Sequence, residues 1–579
     1  MESAGTFEKG TAAILFSRKE GIMRNRKFIS LALAGAMVLS LAACGGNNSS
    51  QQAGTTQAPA APAESTTADA AAVEASKAAK QEASTAKSAD NDIVIAVQAD
   101  ATHLDPHVSS NGASNQITNE MYECLLSFDK DTNVIPMLAK EWSVSEDGRA
   151  YTFILNEGIK FHDGEPFNAE SVKAVYERGL ADPSLTLQRT ISTWEDVVVD
   201  SEYQVTIKLK EPNNTFVNKI TQFRIVSPKA MAMENASDYL AKNSAGTGPF
   251  ILSERVDGGY TKMVRNENYW REGPGVDSLT FQVVPEDAAR IAMLQTGEAD
   301  VIYPVPVTDV SLIENDPSII IDVAPATTYR YVTLNTEWAL PDGRKPFSDK
   351  RVRQACNYAF DSEAYAKVVF NGYAKAPTSI FSDSIQYFAE QTPYTADVAK
   401  AKSLMEEAGY GDGFDVEIIV DNTTVEQKGA TFVQQQLSQI GINVKLLPNE
   451  STANAEKTSA PLESTTVQMW YVNWASGSYE ADGSMRNILH GEKFPPNGYN
   501  TAFWNNEEFN KLLDDALKMS DPKEIADTYA KAQAIAWEEC PWIFLGNDNT
   551  INAYKTYVTG LLYKPGGSMV FRTIGLDHE

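Results

Sequence analysis

Hydrophobic patterning divides the chain into three stretches. From residue 92 onward short apolar runs and alternating runs recur. The run Ile93-Val94-Ile95-Ala96-Val97 predicts a buried strand. Trp142-Ser143-Val144 and the stretch 151–155 flank Glu146-Asp147-Gly148 and predict a hairpin, because Asp-Gly supplies the positive φ of a tight turn. Alternation over 204–209 predicts another strand. The second half alternates strand and helix, with strands over 414–420 and 442–447 enclosing a helix over 426–440 that Gly441 stops. Helical periodicity also covers 349–360, 395–408 and 507–519. These elements predict mixed α/β architecture, and no repeat appears at solenoid periods.

The earlier residues differ. Arg24, Arg26 and Lys27 precede an apolar stretch over 28–43, the order of an export signal. That signal is complete from Met23, so residues 1–22 are expected to be a spurious extension. Leu41-Ala42-Ala43-Cys44 is similar to a bacterial lipobox, which implies cleavage before Cys44 and lipid attachment to its thiol, with 23–43 as signal peptide. Residues 45–90 hold no aromatic, Leu, Ile or Met, and predict a disordered tether beginning at Cys44. As flexible coil it would reach about 35–40 Å.

Composition narrows the partners. The 579 residues carry a net charge of −28, which argues against nucleic acid, and 55 aromatics among them supply real cores. Two to four domains are expected at this length. No apolar run reaches the roughly 20 residues of a membrane-spanning helix.

The search for catalytic chemistry returns little. There is no G-x-S-x-G, P-loop, G-x-G-x-x-G or H-E-x-x-H pattern, and the matches at Ser84…Lys87 and Ser520…Lys523 read as chance. His103 and His107 have metal-like spacing with Asp105, but Pro106 breaks the helix that would align them, so no metal site is expected. Three thiols remain beside Cys44; Cys124, Cys356 and Cys540 are expected buried and free, with a Cys124–Cys356 crosslink as the alternative. No cofactor is called for. The richest segment is Trp470-Tyr471-Val472-Asn473-Trp474-Ala475-Ser476-Gly477-Ser478-Tyr479-Glu480-Ala481-Asp482-Gly483, a strand expected to end in a Gly/Ser binding loop.

A set of ordered motifs carries a family resemblance: Leu104-Asp105-Pro106-His107, Tyr122-Glu123-Cys124-Leu125-Leu126, Gly158-Ile159-Lys160-Phe161-His162-Asp163-Gly164, Gly246-Thr247-Gly248-Pro249-Phe250, Asn268-Tyr269-Trp270, Leu294-Gln295-Thr296-Gly297-Glu298-Ala299-Asp300 and Asp349-Lys350-Arg351-Val352-Arg353-Gln354-Ala355. Together they resemble the extracytoplasmic solute-binding proteins of peptide and nickel ABC importers, family 5. Arg330-Tyr331, Glu480-Ala481-Asp482 and Glu539-Cys540-Pro541-Trp542-Ile543 are most similar to the glutathione-binding type.

The resemblance implies a two-lobed periplasmic-binding-protein-like α/β fold of type II with an extra subdomain, about 130–245, in lobe I. Lobe I is expected over 91–330 plus 536–579 and lobe II over 331–535, with crossings near 331–335 and 530–536. It implies a non-enzymatic monomer, lipid-anchored at the outer face of the cytoplasmic membrane. Such a protein passes glutathione or a short peptide to an ABC permease and ATPase. Dipeptides, oligopeptides, opines and nickel complexes are the alternative ligands, and a peptide sensor or chaperone without transport is the alternative role. By the same resemblance Asp482 would meet the ligand ammonium and Arg330 a carboxylate, with Trp474 and Tyr479 over the backbone. Ser476, Glu480, Asn422 and Thr423 complete the expected site. Dipeptide binders have an Arg where this chain reads Asp421-Asn422-Thr423-Thr424, which weakens a plain dipeptide reading.

Overall fold

The computed structural model describes residues 90–108, 111–325 and 327–577. The signal, Cys44 and the tether up to residue 89 lie outside the described residues.

Two large sheets organise the chain. The first has seven strands in the order Ile319–Ala324, Thr550–Lys555, Val301–Tyr303, Asp92–Val97, Ser278–Val283, Tyr260–Arg265 and Phe250–Val256. Asp92–Val97 is parallel to both neighbours and contributes the fully buried Ile93 and Ala96, so a continuous apolar run suits a strand covered on both faces. The second sheet has six strands in the order Ala374–Lys375, Trp542–Asp548, Tyr329–Leu334, Met469–Trp474, Phe414–Asp421 and Ile442–Asn449. Phe414–Asp421 and Ile442–Asn449 are parallel and joined by the helix Thr424–Ser438. Gly413 and Gly441, at the start of this unit, approach so closely that a Cβ on Gly413 (φ +74°) would lie 1.9 Å from the Gly441 carbonyl oxygen.

A third, four-stranded antiparallel sheet runs Ala139–Val144, Ala150–Leu155, Gln204–Leu209 and Trp194–Ser201. Its first pair is the hairpin read from Asp147-Gly148, with Gly148 at φ +68°. Phe153, Trp194, Phe216 and Phe223, all within the segment 130–245 expected as a subdomain, fill a core of its own.

The chain passes from the first large sheet to the second between Ala324 and Tyr329, and returns between Asp548 and Thr550. Both passages join neighbours: Ile319–Ala324 pairs with Thr550–Lys555, and Tyr329–Leu334 with Trp542–Asp548. The crossings expected at 331–335 and 530–536 therefore need correction. The former lies inside a strand and the latter inside the helix Pro522–Glu539. Trp542–Asp548, expected with lobe I, belongs to the sheet of lobe II. Sequence patterning marks a strand but not the sheet it joins.

The lobes touch through the subdomain. The Asn214 backbone N–H donates to the Leu517 carbonyl at 3.0 Å and its Nδ2 to the Ala516 carbonyl at 2.7 Å, satisfying the C-terminal end of the helix Glu507–Ala516. Asn218 Nδ2 donates to the Ser478 carbonyl and to Gln386 Oε1, each at 3.0 Å.

Smaller expectations resolve simply. Cys124, Cys356 and Cys540 are buried free thiols. His107 bonds the Arg224 carbonyl and the Arg178 side chain, whereas His103 accepts from the Asp105 N–H, so the two rings do not converge. Asp105 forms a buried ion pair with Arg178 at 2.5 Å instead. Among the described residues no helix is long and apolar enough to cross a membrane.

Candidate functional site

Every residue expected at the site lies at or beside one end of the six-stranded sheet, the end where the chain crosses. Trp474 ends one strand, Arg330 is second in its antiparallel neighbour, Asn422 and Thr423 follow Asp421, and Asp548 ends a fourth strand. The parallel pairing of Phe414–Asp421 with Met469–Trp474 puts their C-terminal ends together, the usual place for ligand contacts in such sheets.

The aromatic segment continues past its loop into a helix, Ala481–Leu489, that Gly483 and Ser484 disguise in the sequence. Glu480 starts it. Its carboxylate accepts from the Asp482 N–H at 2.6 Å, the Gly483 N–H at 2.9 Å and Ser478 Oγ at 2.8 Å, which is a helix N-cap reinforced by charge. Burial first, then the neighbouring Asp482 charge, raises the Glu480 carboxyl from 4.5 to about 7. Ser476 Oγ extends the chain of hydroxyls to Ser478 at 2.9 Å. Asp482, 2% exposed, is engaged by Arg486 one turn on, with Nε 3.0 Å from both carboxylate oxygens, and Arg486 reaches Asp514 at 2.6 Å.

Arg330 is equally occupied. Nη1 donates to both Glu426 oxygens at 2.6 and 2.7 Å, Nε donates to Asp548 at 2.6 Å, and the guanidinium lies 5.0 Å over the Phe370 ring. Glu426 reaches it from the first turn of the helix that Thr423 caps, at 3.3 Å. Asn422 accepts from Gln427 at 2.9 Å. Burial pushes the Asp548 carboxyl upward, and Arg330 opposes that shift.

Side-chain alternation then separates the expected pair. Arg330 faces the helix Thr424–Ser438, whereas its neighbour Tyr329 points to the other face, where its hydroxyl donates to the Ser484 carbonyl in the helix that carries Asp482. Arg330 and Asp482 therefore work on opposite faces of one sheet, and each has protein partners of opposite charge. They do not form facing jaws for one small zwitterion.

What does face the first lobe is the loop between them. Tyr479 (φ +49°) packs edge-on against Phe128 at 5.1 Å, and Gly477 lies beside the Gln222 side chain. Trp474 packs against Tyr499 at 5.3 Å and keeps a buried Nε1–H with no acceptor among the described residues. A cavity of about 720 Å³ lies between the lobes, lined by Thr132, Asp322 and Lys564 from the first and by Lys375, Asp383 and Gln386 from the second. That is within the roughly 300–1,000 Å³ of small-ligand sites. A larger cavity, about 900 Å³, lies at the far end of the six-stranded sheet, away from the crossings. Arg486 and Asp514 escaped the sequence reading, although the Asp482–Arg486 spacing of four was a legible signal once a helix was assumed.

Two lobes on paired crossings, closed on a polar and aromatic loop beside a cavity, are the architecture of a solute-binding protein. The model for bacterial extracellular solute-binding proteins, family 5, matches residues 133–495, and the chain belongs to this family. Its members are transport binding proteins, not enzymes. The chain is 34% identical to the glutathione-binding protein GsiB of Salmonella typhi over 490 residues, covering 83% of this chain and 94% of the relative. Among solved structures, DppA of Helicobacter pylori with the peptide STSA superposes with TM-score 0.70 at 26% identity, covering 84% of this chain and 98% of that one. The dipeptide-binding protein of Pseudoalteromonas sp. SM9913 with Met-Leu gives 0.71 at 26% identity, covering 84% and 100%.

Two outcomes follow from the charges. Arg330→Met leaves Asp548 and Glu426 without their counter-charge and should destabilise the protein by about 3–5 kcal/mol in urea unfolding, with or without solute. A loss of affinity at unchanged stability would instead make Arg330 a ligand contact. Glu480 ionises in the unfolded chain before it does in the fold, so the native state holds the extra proton between pH 4.5 and about 7 and stability falls as pH rises through that window. Glu480→Gln should remove about 2–3 kcal/mol of that decline, read as the difference between unfolding at pH 5 and pH 8. Parallel pH profiles for both proteins would refute it.

Proposed function

We propose that this protein captures glutathione or a short peptide between its lobes and delivers it to an ABC permease and its ATPase. The observation that carries the reading is the likeness to a glutathione-binding protein along 94% of that relative's length. The peptide complexes of the two solved relatives support a peptide-like solute of the same general kind. Geometry adds that the Ser476–Tyr479 loop of one lobe covers the other, so a solute touching both has differential affinity for the closed form and shifts the hinge equilibrium toward it. In this reading Trp474, Ser476 and Tyr479 form the second-lobe wall, with the helix that Glu480 caps and its Asp482–Arg486 pair supporting it from behind. The mature protein begins at Cys44, is held at the outer face of the cytoplasmic membrane by acyl chains, and acts as a monomer.

Isothermal titration with glutathione, its disulfide and Met-Leu tests the solute. Micromolar or tighter binding of a glutathione form, with a smaller radius of gyration in solution scattering, is expected; binding of Met-Leu alone would replace glutathione by dipeptides, and binding of none would remove the reading. Cys44→Ser should move the protein from the membrane fraction to the soluble one in the producing bacterium. Retention on the membrane would exclude the thiol anchor.

A further inference from the structure

The acids outnumber the bases, 77 to 49, yet three neighbouring cations on the first lobe, Arg224, Lys564 and Arg572, form no ion pair among the described residues. Arg224 spends Nη2 on the amide oxygens of Asn119 at 2.8 Å and Asn115 at 3.1 Å, and its Nε is buried without an acceptor. Among the described residues Lys564 and Arg572 make no side-chain hydrogen bond or ion pair. Both line a cavity of about 380 Å³ whose walls are mainly apolar, with Leu126, Phe128 and Val570 among them.

Two acids stand near. Glu123 has its oxygens taken by Thr247, Tyr269 and Trp270, all neutral donors. Glu120, on the cavity wall, accepts among the described residues only from the Phe571 N–H at 3.3–3.4 Å; burial raises its carboxyl to about 7, with Lys564 and Arg572 opposing that shift. The Lys564 ammonium is pushed down by burial, with Arg224 and Arg572 pushing the same way and Cys124 and Glu120 opposing them.

The cavity is placed for solute. Lys130, Tyr563 and Lys564 line both it and the interlobe cavity, so the two adjoin. Phe128 on its wall is the residue that Tyr479 of the second lobe packs against. Low-dielectric walls strengthen a charge-assisted hydrogen bond to an entering oxyanion.

We propose that this first-lobe cavity anchors a carboxylate of the solute through Lys564 and Arg572, with Arg224 behind them. This rests on the peptide-solute reading above and gives the ligand a carboxylate partner that Arg330, already paired with Glu426 and Asp548, does not supply. It favours a solute with more than one carboxylate, such as a γ-glutamyl tripeptide, over a neutral or cationic one.

The test compares glutathione with its diethyl ester on the wild-type protein, Lys564→Met/Arg572→Gln and the charge-preserving Lys564→Arg. The wild type and Lys564→Arg should prefer the acid by about tenfold or more, and the double variant should bind both alike, with the ester within about twofold of wild type. A double variant that keeps the preference, or a wild type that shows none, overturns the proposal. Absence of any peptide binding would defeat the transport reading separately; citrate and inorganic phosphate then serve as probes of the cavity. A melting-temperature rise with either, seen in wild type and missing from the double variant, sustains an anion site, and no rise overturns it.

Discussion

Arg330 stands one residue into the strand that follows the first crossing, and Asp548 is the last residue of the strand that precedes the second. Their 2.6 Å contact ties the two passages between lobes to each other at the level of the sheet end. Glu426 completes the arrangement from a third direction and so fixes the helix Thr424–Ser438 to the same point. A guanidinium taken out of water needs such partners, because its desolvation outweighs any single contact. The position of the interlobe cavity follows from this tie: the second-lobe strand ends converge there because the crossing strands are held there.

Charge is distributed unequally over the two walls that meet at the cleft. The second lobe offers Glu480 and Asp482, capped and paired within their own helix, and a loop of hydroxyls and rings. The first carries Lys564 and Arg572, which form no ion pair among the described residues, beside the buried Glu120. The second-lobe charges are already satisfied within the lobe, so they need no rearrangement when the lobes meet. Preorganisation of this kind reduces what binding must spend on ordering side chains.

Local patterns in the sequence were sufficient for several elements. The Asp147-Gly148 hairpin, the strand Gln204–Leu209 and the strand–helix–strand unit ending at Gly441 all follow from periodicity and turn chemistry. The family and its two-lobed fold were legible from ordered motifs. Pairings over long separations were not. Arg330 and Asp548 are 218 residues apart, and nothing near either announces the other. The helix Ala481–Leu489 was hidden because Gly483 and Ser484 have poor intrinsic helix preference, and only the Glu480 cap, visible in three dimensions, explains its start. Which face of a sheet Arg330 uses depends on register, and one residue of register reverses it.

The contact of Asn214 with the end of Glu507–Ala516 reaches beyond packing. A helix in one lobe ends on a residue of the other, so separation of the lobes hands the carbonyls of Ala516 and Leu517 to water. The final turn of that helix would then have two hydration states, one for each position of a hinge. If solute closes the lobes as proposed, cleft occupancy would be displayed at this helix terminus through its hydrogen-bonding groups.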